Sequence, residues 1–240
     1  MPPTVLLDVR TSTAHFPGIG RYTYELARHL PAAAPDWQFI FTLNPEQRTE
    51  GRFDIAALGE PANVQLRAVT PRVFSWQEQL ALPRRLAPAD LVHFPYYIRP
   101  YAVARPTVTT VYDIISHLYP AYLPSPWHRA IFELTTRLTL ARSRHILTLS
   151  ASAATDLQRV YGVAPQRITV TPAAVDPRFR PASPDEVAAL RQRLGLPAAY
   201  VLCVGANKPH KNLSTLIQAW SHLKSTPHPP TSTPHPPTPT

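Results

Sequence analysis

Short apolar runs alternate with segments of helical periodicity along the first 175 residues. The runs predict strands at Val5–Val9, Gln38–Leu43, Val64–Val69, Leu91–Phe94, Thr107–Tyr112, Arg144–Leu149 and Ile168–Thr171. The segments between them predict helices at Arg21–Leu30, Trp76–Leu86 and Pro126–Ala141, and another that opens at Ser150. This alternation is typical of an α/β domain in which helices cover a parallel sheet.

The alternation begins again after a proline-rich connector, Val175–Pro184. A helix is predicted at Pro184–Leu194, because acidic residues occupy its first turn and a glycine follows its end. An apolar strand is then expected at Tyr200–Val204 and an amphipathic helix at Leu213–Leu223. We therefore expect a first domain at 1–175, a linker with a helix at 176–198, and the opening of a second α/β domain at 199–224.

The pattern stops after Leu223, where no apolar residue remains. Residues 225–231 and 232–238 are identical seven-residue repeats of serine, threonine, histidine and proline. Such a segment cannot bury a core, so a disordered tail is predicted at 225–240. One strand and one helix do not make a stable sheet domain, so the second domain is expected to be incomplete and the chain truncated.

Composition and charge indicate which partners and which cellular compartment to expect. Of the 240 residues 44% are hydrophobic, and the formal net charge is +9. This positive excess indicates either a solvated basic face or an affinity for polyanions, anionic lipid headgroups or diphosphates. The arginines are scattered and do not alternate with aromatic residues, so no nucleic-acid partner is predicted. Neither a signal peptide nor a membrane-spanning run is predicted, which suggests a cytoplasmic protein that can touch the inner membrane face. Cys203 lies alone in an apolar run and is expected to be buried.

The segment from Phe16 to Tyr22 places glycines between the first strand and the first helix. Gly18 and Gly20 let a backbone approach a ligand closely, and Arg21 adds a cation beside the helix N-terminus. These features predict an anion site for a phosphorylated small molecule. A tight turn without a ligand is the alternative. A dinucleotide site of an oxidoreductase is disfavoured, because Thr23 stands where a third glycine is needed.

Taken in order, these segments resemble the retaining glycosyltransferases of family 4, which have the GT-B fold of two facing Rossmann-like domains. The resemblance covers residues 4–223 and rests on Gly18–Tyr22, Ser75–Leu80, Leu82–Leu86, Asp90–Pro95, Thr110–Ile115, Ile146–Ser150, Tyr161–Val163, Arg167–Val170, Pro172–Asp176 and Val204–Leu213. It implies a Rossmann-like, acceptor-side N-terminal domain and the start of a donor-side C-terminal domain.

The resemblance also implies roles for individual residues. Donor diphosphate would lie against Gly205 and Lys211 and against the first glycine loop, Gly18 and Gly20. The acceptor side of the cleft would be lined by Arg21, Tyr22, His93 and Ser150. Tyr112 and Asp113 occupy the positions of a His-Asp pair that is common in the family, and Asp113 would position the site without being a nucleophile. Ala206 stands where an arginine is often found.

The implied reaction is transfer of a hexose from GDP-mannose or a UDP-sugar to a lipid-linked or polysaccharide acceptor, with retention of configuration. The nucleotide sugar is a co-substrate, and neither a cofactor nor a metal is implied. The family holds its donor with a Glu-x7-Glu pair in the second domain, but no acidic residue follows Lys211. We therefore expect this chain to be inactive or nearly so. The alternative is a non-catalytic module that binds an acceptor or a partner.

Overall fold

The computed structural model describes residues 1–48, 53–86, 89–205 and 211–225. The chain divides into two compact units, Met1–Asp176 and Pro177–Thr240, and each is described by itself. Position 206 and the predicted tail beyond Ser225 lie outside the described residues.

The first unit contains a sheet of seven parallel strands in the order β3-β2-β1-β4-β5-β6-β7. The strands are β1 Thr4–Asp8, β2 Gln38–Leu43, β3 Val64–Ala68, β4 Leu91–Phe94, β5 Thr107–Thr110, β6 His145–Thr148 and β7 Ile168–Val170. The prediction of a parallel α/β sheet is confirmed. The chain builds outward from β1 to β3 and then returns to the other side of β1 at β4. That reversal creates a crevice where parallel α/β proteins bind ligands, at the carboxyl ends of the strands.

Five α-helices connect these strands in the described part of the unit: α1 Pro17–Ala33, α2 Trp76–Arg85, α3 Ile115–Leu118, α4 Pro126–Arg142 and α5 Ala151–Tyr161. Helix α1 begins four residues earlier than predicted. Pro17 stands at its first position, where the fixed φ of proline favours helix initiation and its missing N–H costs nothing. The glycines expected in a loop therefore belong to the first turns of α1.

The core lies on both faces of the sheet, as the apolar sequence of β1 requires. Leu7 packs with Phe39 and Phe41 in one cluster, whereas Leu6 packs with Leu82 and other residues in a second cluster. A third cluster lies under α4 and α5 and is formed by Val111, Ile114, Leu140, Ile146, Leu157 and Val163. Because successive side chains of a strand point to opposite faces, β1 is buried on both sides.

A buried ion cluster fixes the chain where β1 ends. The Nε and Nη2 atoms of Arg10 donate to the two carboxylate oxygens of Asp8 at 2.8 and 2.6 Å, and Nη2 also donates to Glu78 Oε1 at 2.5 Å. Burial raises the pKa of Glu78, and the charge of Arg10 opposes that rise. Burial alone would lower the pKa of Arg10, but Asp8 and Glu78 together raise it. The cluster ties α2 to the segment after β1.

The second unit contains helices α6, Pro184–Leu194, and α7, Leu213–Ser225. Ser183 and Glu186 form a capping box at the start of α6, as its acidic first turn suggested. The predicted strand at Tyr200–Val204 is wrong: all five residues are described, none is in a strand and all are exposed. The expected burial of Cys203 is wrong for the same reason. An apolar run becomes a strand only when a neighbouring strand pairs with it.

No helix in the described ranges combines the length and the apolar character needed to cross a membrane.

Candidate functional site

A cavity of about 770 Å³ opens at the carboxyl edge of the sheet in the first unit. The early turns of α1 form one wall, and the segments that follow β4, β5, β6 and β7 form the others. Its lining consists of Gly18, Ile19, Arg21, Tyr22, Glu25, Leu26, His29, Tyr96, Tyr97, Tyr112, Asp113, Ser116, Phe132, Leu149, Thr171, Pro172, Ala173 and Ala174. The topology explains its position, because parallel strands collect their following loops at one edge.

Four tyrosines dominate the walls. Tyr22 and Tyr112 meet edge to face with ring centroids 5.4 Å apart, and the ring centroids of Tyr96 and Tyr97 are 4.4 Å apart. The hydroxyl of Tyr112 donates to the backbone oxygen of Pro95 at 2.9 Å, which joins the end of β5 to the end of β4. Burial raises the pKa of Tyr112, so its hydroxyl stays protonated and its oxygen remains an acceptor. The cavity thus offers fixed aromatic surfaces that carry hydroxyl groups.

Two carboxylates and one arginine supply the permanent charge of the described lining. Arg21 Nη1 donates to Glu25 Oε1 at 2.9 Å, and its guanidinium lies 5.0 Å from the ring centre of Phe53. The expected phosphate-binding cation is therefore already paired. Asp113 Oδ1 accepts the backbone N–H of Ile115 at 3.0 Å, which holds this carboxylate at the start of α3.

The two glycines of α1 differ in what they do. Gly18 lines the cavity, and a Cβ added there would meet nothing within 4 Å. Gly20 is absent from the described lining, and a Cβ there would come within 2.8 Å of the backbone oxygen of Thr11. Its N–H donates to the backbone oxygen of Phe16 at 2.6 Å. Gly20 therefore lets α1 pack closely on the segment after β1.

Several predicted site residues lie elsewhere. His93 is buried in β4, shares a 2.9 Å hydrogen bond with Thr110, and has its pKa lowered by burial to about 4. Ser150 caps α5 by accepting the N–H of Ala153 at 3.1 Å. Neither is among the lining residues described. Gly205 and Lys211 belong to the second unit and are exposed.

The structure thus brings half of the predicted site residues together at one cavity: Gly18, Arg21, Tyr22, Tyr112 and Asp113. The sequence interpretation missed Tyr96, Tyr97 and Ser116, which also line it. A signal for the tyrosine pair was present, since two adjacent aromatic residues directly follow a buried strand at the ligand-binding edge of the sheet. Among the described residues, no three His, Cys, Asp or Glu side chains are grouped to hold a metal ion.

Comparison with known proteins decides the family. The sequence model of Glycosyltransferase Family 4 matches residues 17–179. The chain belongs to glycosyltransferase family 4. The match includes every cavity residue named above, so the resemblance found in the sequence is confirmed.

The names of two curated relatives of this family 4 chain refer to different acceptors. This chain is 28% identical over 218 residues to the O-antigen chain mannosyltransferase B of Escherichia coli. The alignment covers 86% of this chain and 56% of that enzyme. This chain is 36% identical over 112 residues to the D-inositol 3-phosphate glycosyltransferase of Xylanimonas cellulosilytica, covering 44% of this chain and 26% of that enzyme. The chain therefore spans a little over half the length of the first relative and about a quarter of the second.

Solved structures agree on the fold. Anabaena Alr3699/HepE in complex with UDP and glucose superposes with a TM-score of 0.62 at 18% identity, covering 92% of this chain and 58% of that one. A glycosyltransferase from Rickettsia africae superposes with a TM-score of 0.55 at 17% identity, covering 93% and 58%. At this identity the likeness establishes the architecture only.

Proposed function

We propose that this chain forms the acceptor-side part of a retaining glycosyltransferase that transfers a hexose from a nucleotide sugar to a glycan or lipid-linked acceptor. The observation that carries the proposal is the tyrosine-lined cavity at the carboxyl edge of the Rossmann-like sheet. It lies beside the reversal of strand order, where this fold class binds ligands. GDP-mannose is our preferred donor, because a relative that covers 86% of the chain is named as a mannosyltransferase. UDP-sugars are the second choice.

The donor diphosphate is assigned to the second unit. Gly205 and Lys211 precede α7, whose N-terminus presents backbone N–H groups and a partial positive charge. Lys211 would add a full charge and stabilise the departing diphosphate without a metal ion or another cofactor. Complexes of the related fold with UDP and with UDP-glucose support a nucleotide-sugar partner.

The proposed reaction takes place on one face of the donor sugar. The bond from C1 to the phosphate oxygen breaks while the acceptor oxygen bonds to C1, and the acceptor proton passes to the departing phosphate. No carboxylate nucleophile is required, so Asp113 serves to orient hydroxyl groups. The fixed contact between Asp113 and Ile115 supports this positioning role. The Tyr112 oxygen can accept a hydrogen bond from a sugar hydroxyl.

The chain by itself is proposed to be inactive, since no acidic residue follows Lys211 to hold the nucleotide ribose and the donor sugar. A non-catalytic acceptor-binding module is the alternative function. The cavity supports both interpretations, because acceptor binding needs only the first unit.

Peripheral contact with an anionic membrane is a further part of the proposal. Trp76 is 72% exposed on α2 and Trp127 is 71% exposed on α4, and the chain carries a net charge of +9. Exposed aromatic side chains together with positive charge favour binding at a membrane interface. Co-sedimentation with phosphatidylglycerol vesicles tests it: the double variant Trp76→Ser/Trp127→Ser should stay in the supernatant, while Trp37→Ser should sediment like the parent. Equal sedimentation of all three would exclude these tryptophans as the contact.

The decisive experiment grafts the donor-side half of the E. coli mannosyltransferase after Asp176 and measures transfer from radiolabelled GDP-mannose to a mannose oligosaccharide. The ungrafted chain should transfer nothing, and the graft should form a product that retains the anomeric configuration, as measured by NMR. Asp113→Ala in the graft should lower the rate about 100-fold through lost positioning. Asp156→Ala, on α5 and paired with Arg159, is the matched control and should leave the rate unchanged. A graft that binds GDP-mannose but transfers to no acceptor would support the binding-module alternative.

A further inference from the structure

The charged side chains that line the cavity disfavour the binding of a phosphorylated ligand. Among the described lining residues, Arg21 alone carries a permanent positive charge, and it is paired with Glu25 at 2.9 Å. The other oxygen of Glu25 lies 3.6 Å from Nη1 of Arg28, which is not among the described lining residues, and 3.8 Å from Nε2 of His29. Asp113 adds a second carboxylate. A phosphorylated ligand would compete with Glu25 for Arg21 and would also meet the negative charge of Asp113.

The uncharged part of the lining suits a sugar ring. Aromatic faces carry partial negative charge and attract the polarised C–H groups on the apolar face of a pyranose. Tyr96, Tyr97 and Tyr112 supply such surfaces within one cavity, whereas Asp113 and Ser116 supply polar groups for the hydroxyl edge. The volume of about 770 Å³ accommodates one or two sugar units.

An aromatic strip, formed by Phe16, Phe74 and Tyr96, continues this surface beyond the cavity. Phe74 lies 5.2 Å from Tyr96 and 5.6 Å from Phe16 between ring centroids, and Phe74 and Phe16 are absent from the described cavity lining. Phe74 is 39% exposed although its ring is large and apolar. The strip therefore extends outward from the cavity through Tyr96, which belongs to both.

The exposed position of Phe74 is held by the buried ion cluster. Phe74 has a φ of 65°, in the left-handed region that a bulky residue rarely adopts. Its N–H donates to Glu78 Oε2 at 2.8 Å, while the other oxygen of Glu78 accepts from Arg10. A strained backbone persists only where its surroundings fix it. The ion cluster thus presents the Phe74 ring at the edge of the cavity.

We propose that the acceptor is the end of an uncharged oligosaccharide, whose terminal sugar lies in the tyrosine-lined cavity and whose preceding sugar stacks on Phe74. A phosphorylated sugar or polyol is disfavoured, because the only arginine among the described lining residues is already paired with Glu25 and faces a second carboxylate, Asp113, in the same lining. This inference rests on the proposed function, since it specifies the acceptor class of the same cavity. It makes Phe74 a determinant of acceptor length and Glu25 a determinant of acceptor charge.

Ligand titrations of the full chain, followed by the backbone amide NMR signals of Gly18, Ile19 and Ser116, test the inference. The probes are methyl α-mannoside, a methyl mannobioside and myo-inositol 3-phosphate. The disaccharide should bind about threefold to tenfold more tightly than the monosaccharide, as one added aromatic contact predicts. Inositol phosphate should shift none of these signals at the same concentration.

Two variants separate the parts of the inference. Phe74→Ala should remove the advantage of the disaccharide and leave monosaccharide binding unchanged, whereas Phe179→Ala, an exposed phenylalanine of the second unit, should change neither. Glu25→Gln should release Arg21 and create binding of inositol phosphate, and Glu60→Gln, at an exposed position, should not.

Equal or tighter binding of inositol phosphate by the parent chain would overturn the inference, as would the absence of any shift with all three probes. A disaccharide advantage that survives Phe74→Ala would overturn the assignment of the second sugar. None of these outcomes decides the proposed glycosyl transfer, which the grafted enzyme tests separately with a labelled donor.

Discussion

Helices α5 and α6 have the same length and the same ends, yet they have different surroundings. Each contains 11 residues, begins after a serine whose side chain accepts a backbone N–H, and ends at a glycine in the left-handed region: Ser150 and Gly162 for α5, Ser183 and Gly195 for α6. Helix α5 buries three residues, including Leu157, against the sheet, whereas no residue of α6 is buried. Local signals thus suffice to start and end a helix, but they do not create a core.

The two units also differ in whether an apolar run forms a strand. Tyr200–Val204 is more apolar than Ile168–Val170, which contains a threonine, yet only the latter forms a strand. Ile168–Val170 pairs with β6 in parallel register, Ile146 opposite Ile168. A helix satisfies its backbone internally, but a strand depends on its neighbour, so an apolar run without a pairing strand does not form one.

The largest expected effect on the free energy of unfolding comes from the buried ion cluster around Arg10 in the first unit. It contrasts with the exposed Arg180–Glu186 ion pair in the second unit. Arg10→Met should destabilise the first unit by about 3–5 kcal/mol, because it leaves Asp8 and Glu78 as buried charges without their partner. Urea unfolding followed by near-ultraviolet circular dichroism measures this loss. A change below about 1 kcal/mol would show that the cluster is not a buried charge system of this kind.

Arg180→Met is the matched control for that experiment. Arg180 also binds a carboxylate through two nitrogens, donating to the oxygens of Glu186 at 2.7 and 3.1 Å, but both side chains are exposed. Exposed pairs contribute little and are screened by salt. The unfolding midpoint of the first unit should therefore not move.

The next comparison uses one leucine from each helix. Leu157→Ala on α5 should cost about 2–5 kcal/mol, because this side chain is 0% exposed and its removal leaves a cavity. Leu190→Ala on α6 should change the free energy of unfolding by about 0.5 kcal/mol or less, since Leu190 is 42% exposed. Equilibrium unfolding of both variants gives the two values. Similar losses would mean that α6 packs against apolar surface as α5 does.

Much of the fold could be predicted from the sequence because its determinants are local or repeat regularly. The seven strands of the first unit follow from apolar runs between helical segments, the cap at Ser150 follows from residue type, and the start of α6 follows from its acidic first turn. The early start of α1 at Pro17 was missed, because the glycines suggested a loop. The strand at Tyr200–Val204 was predicted wrongly, because no sequence pattern reports whether a partner strand is present.

The site was less predictable for a different reason. Tyr112 and Asp113 could be found because they follow a strand within a family motif, and the structure places both at the cavity. The pairing of Arg21 with Glu25 was missed although both residues lie four apart within the predicted helix Arg21–Leu30, so a local signal was present. The link from Glu78 to Phe74 depends on tertiary packing with Arg10. Such contacts between distant segments leave no local signal.

A pH titration distinguishes the two units through groups that titrate in different pH ranges. His93 has a folded pKa of about 4, below its usual 6.5, so the unfolded chain binds the extra proton between these values. The contribution of His93 to the stability of the first unit is therefore constant above pH 6.5 and should fall by about 3 kcal/mol as the pH drops to 4. His93→Gln should remove this part of the slope in urea unfolding at both pH values. An unchanged slope would contradict a buried, neutral His93.

Helix α6 should not weaken over that range. Its Glu186 has a pKa of about 2, lowered by hydrogen bonds from Arg180 and from the backbone of Ser183. Because the folded pKa is depressed, its stabilisation is fully present above about pH 4.5 and is lost progressively as the pH falls from there through 2. Cα chemical shifts of 184–194 should stay helical at pH 4, where the first unit is already weakened.

The smallest effect compares the two serine caps. Ser150→Ala should cost the first unit about 1 kcal/mol, because the N–H of Ala153 loses its acceptor while the packing of Leu157 keeps α5 helical. Ser183→Ala should leave the first unit unchanged but reduce the helicity of α6, which no buried side chain supports. Urea unfolding measures the first effect and Cα shifts of 184–194 the second. If α6 kept its full helicity without Ser183, something other than its local sequence would have to hold it, and the contrast with α5 would fail.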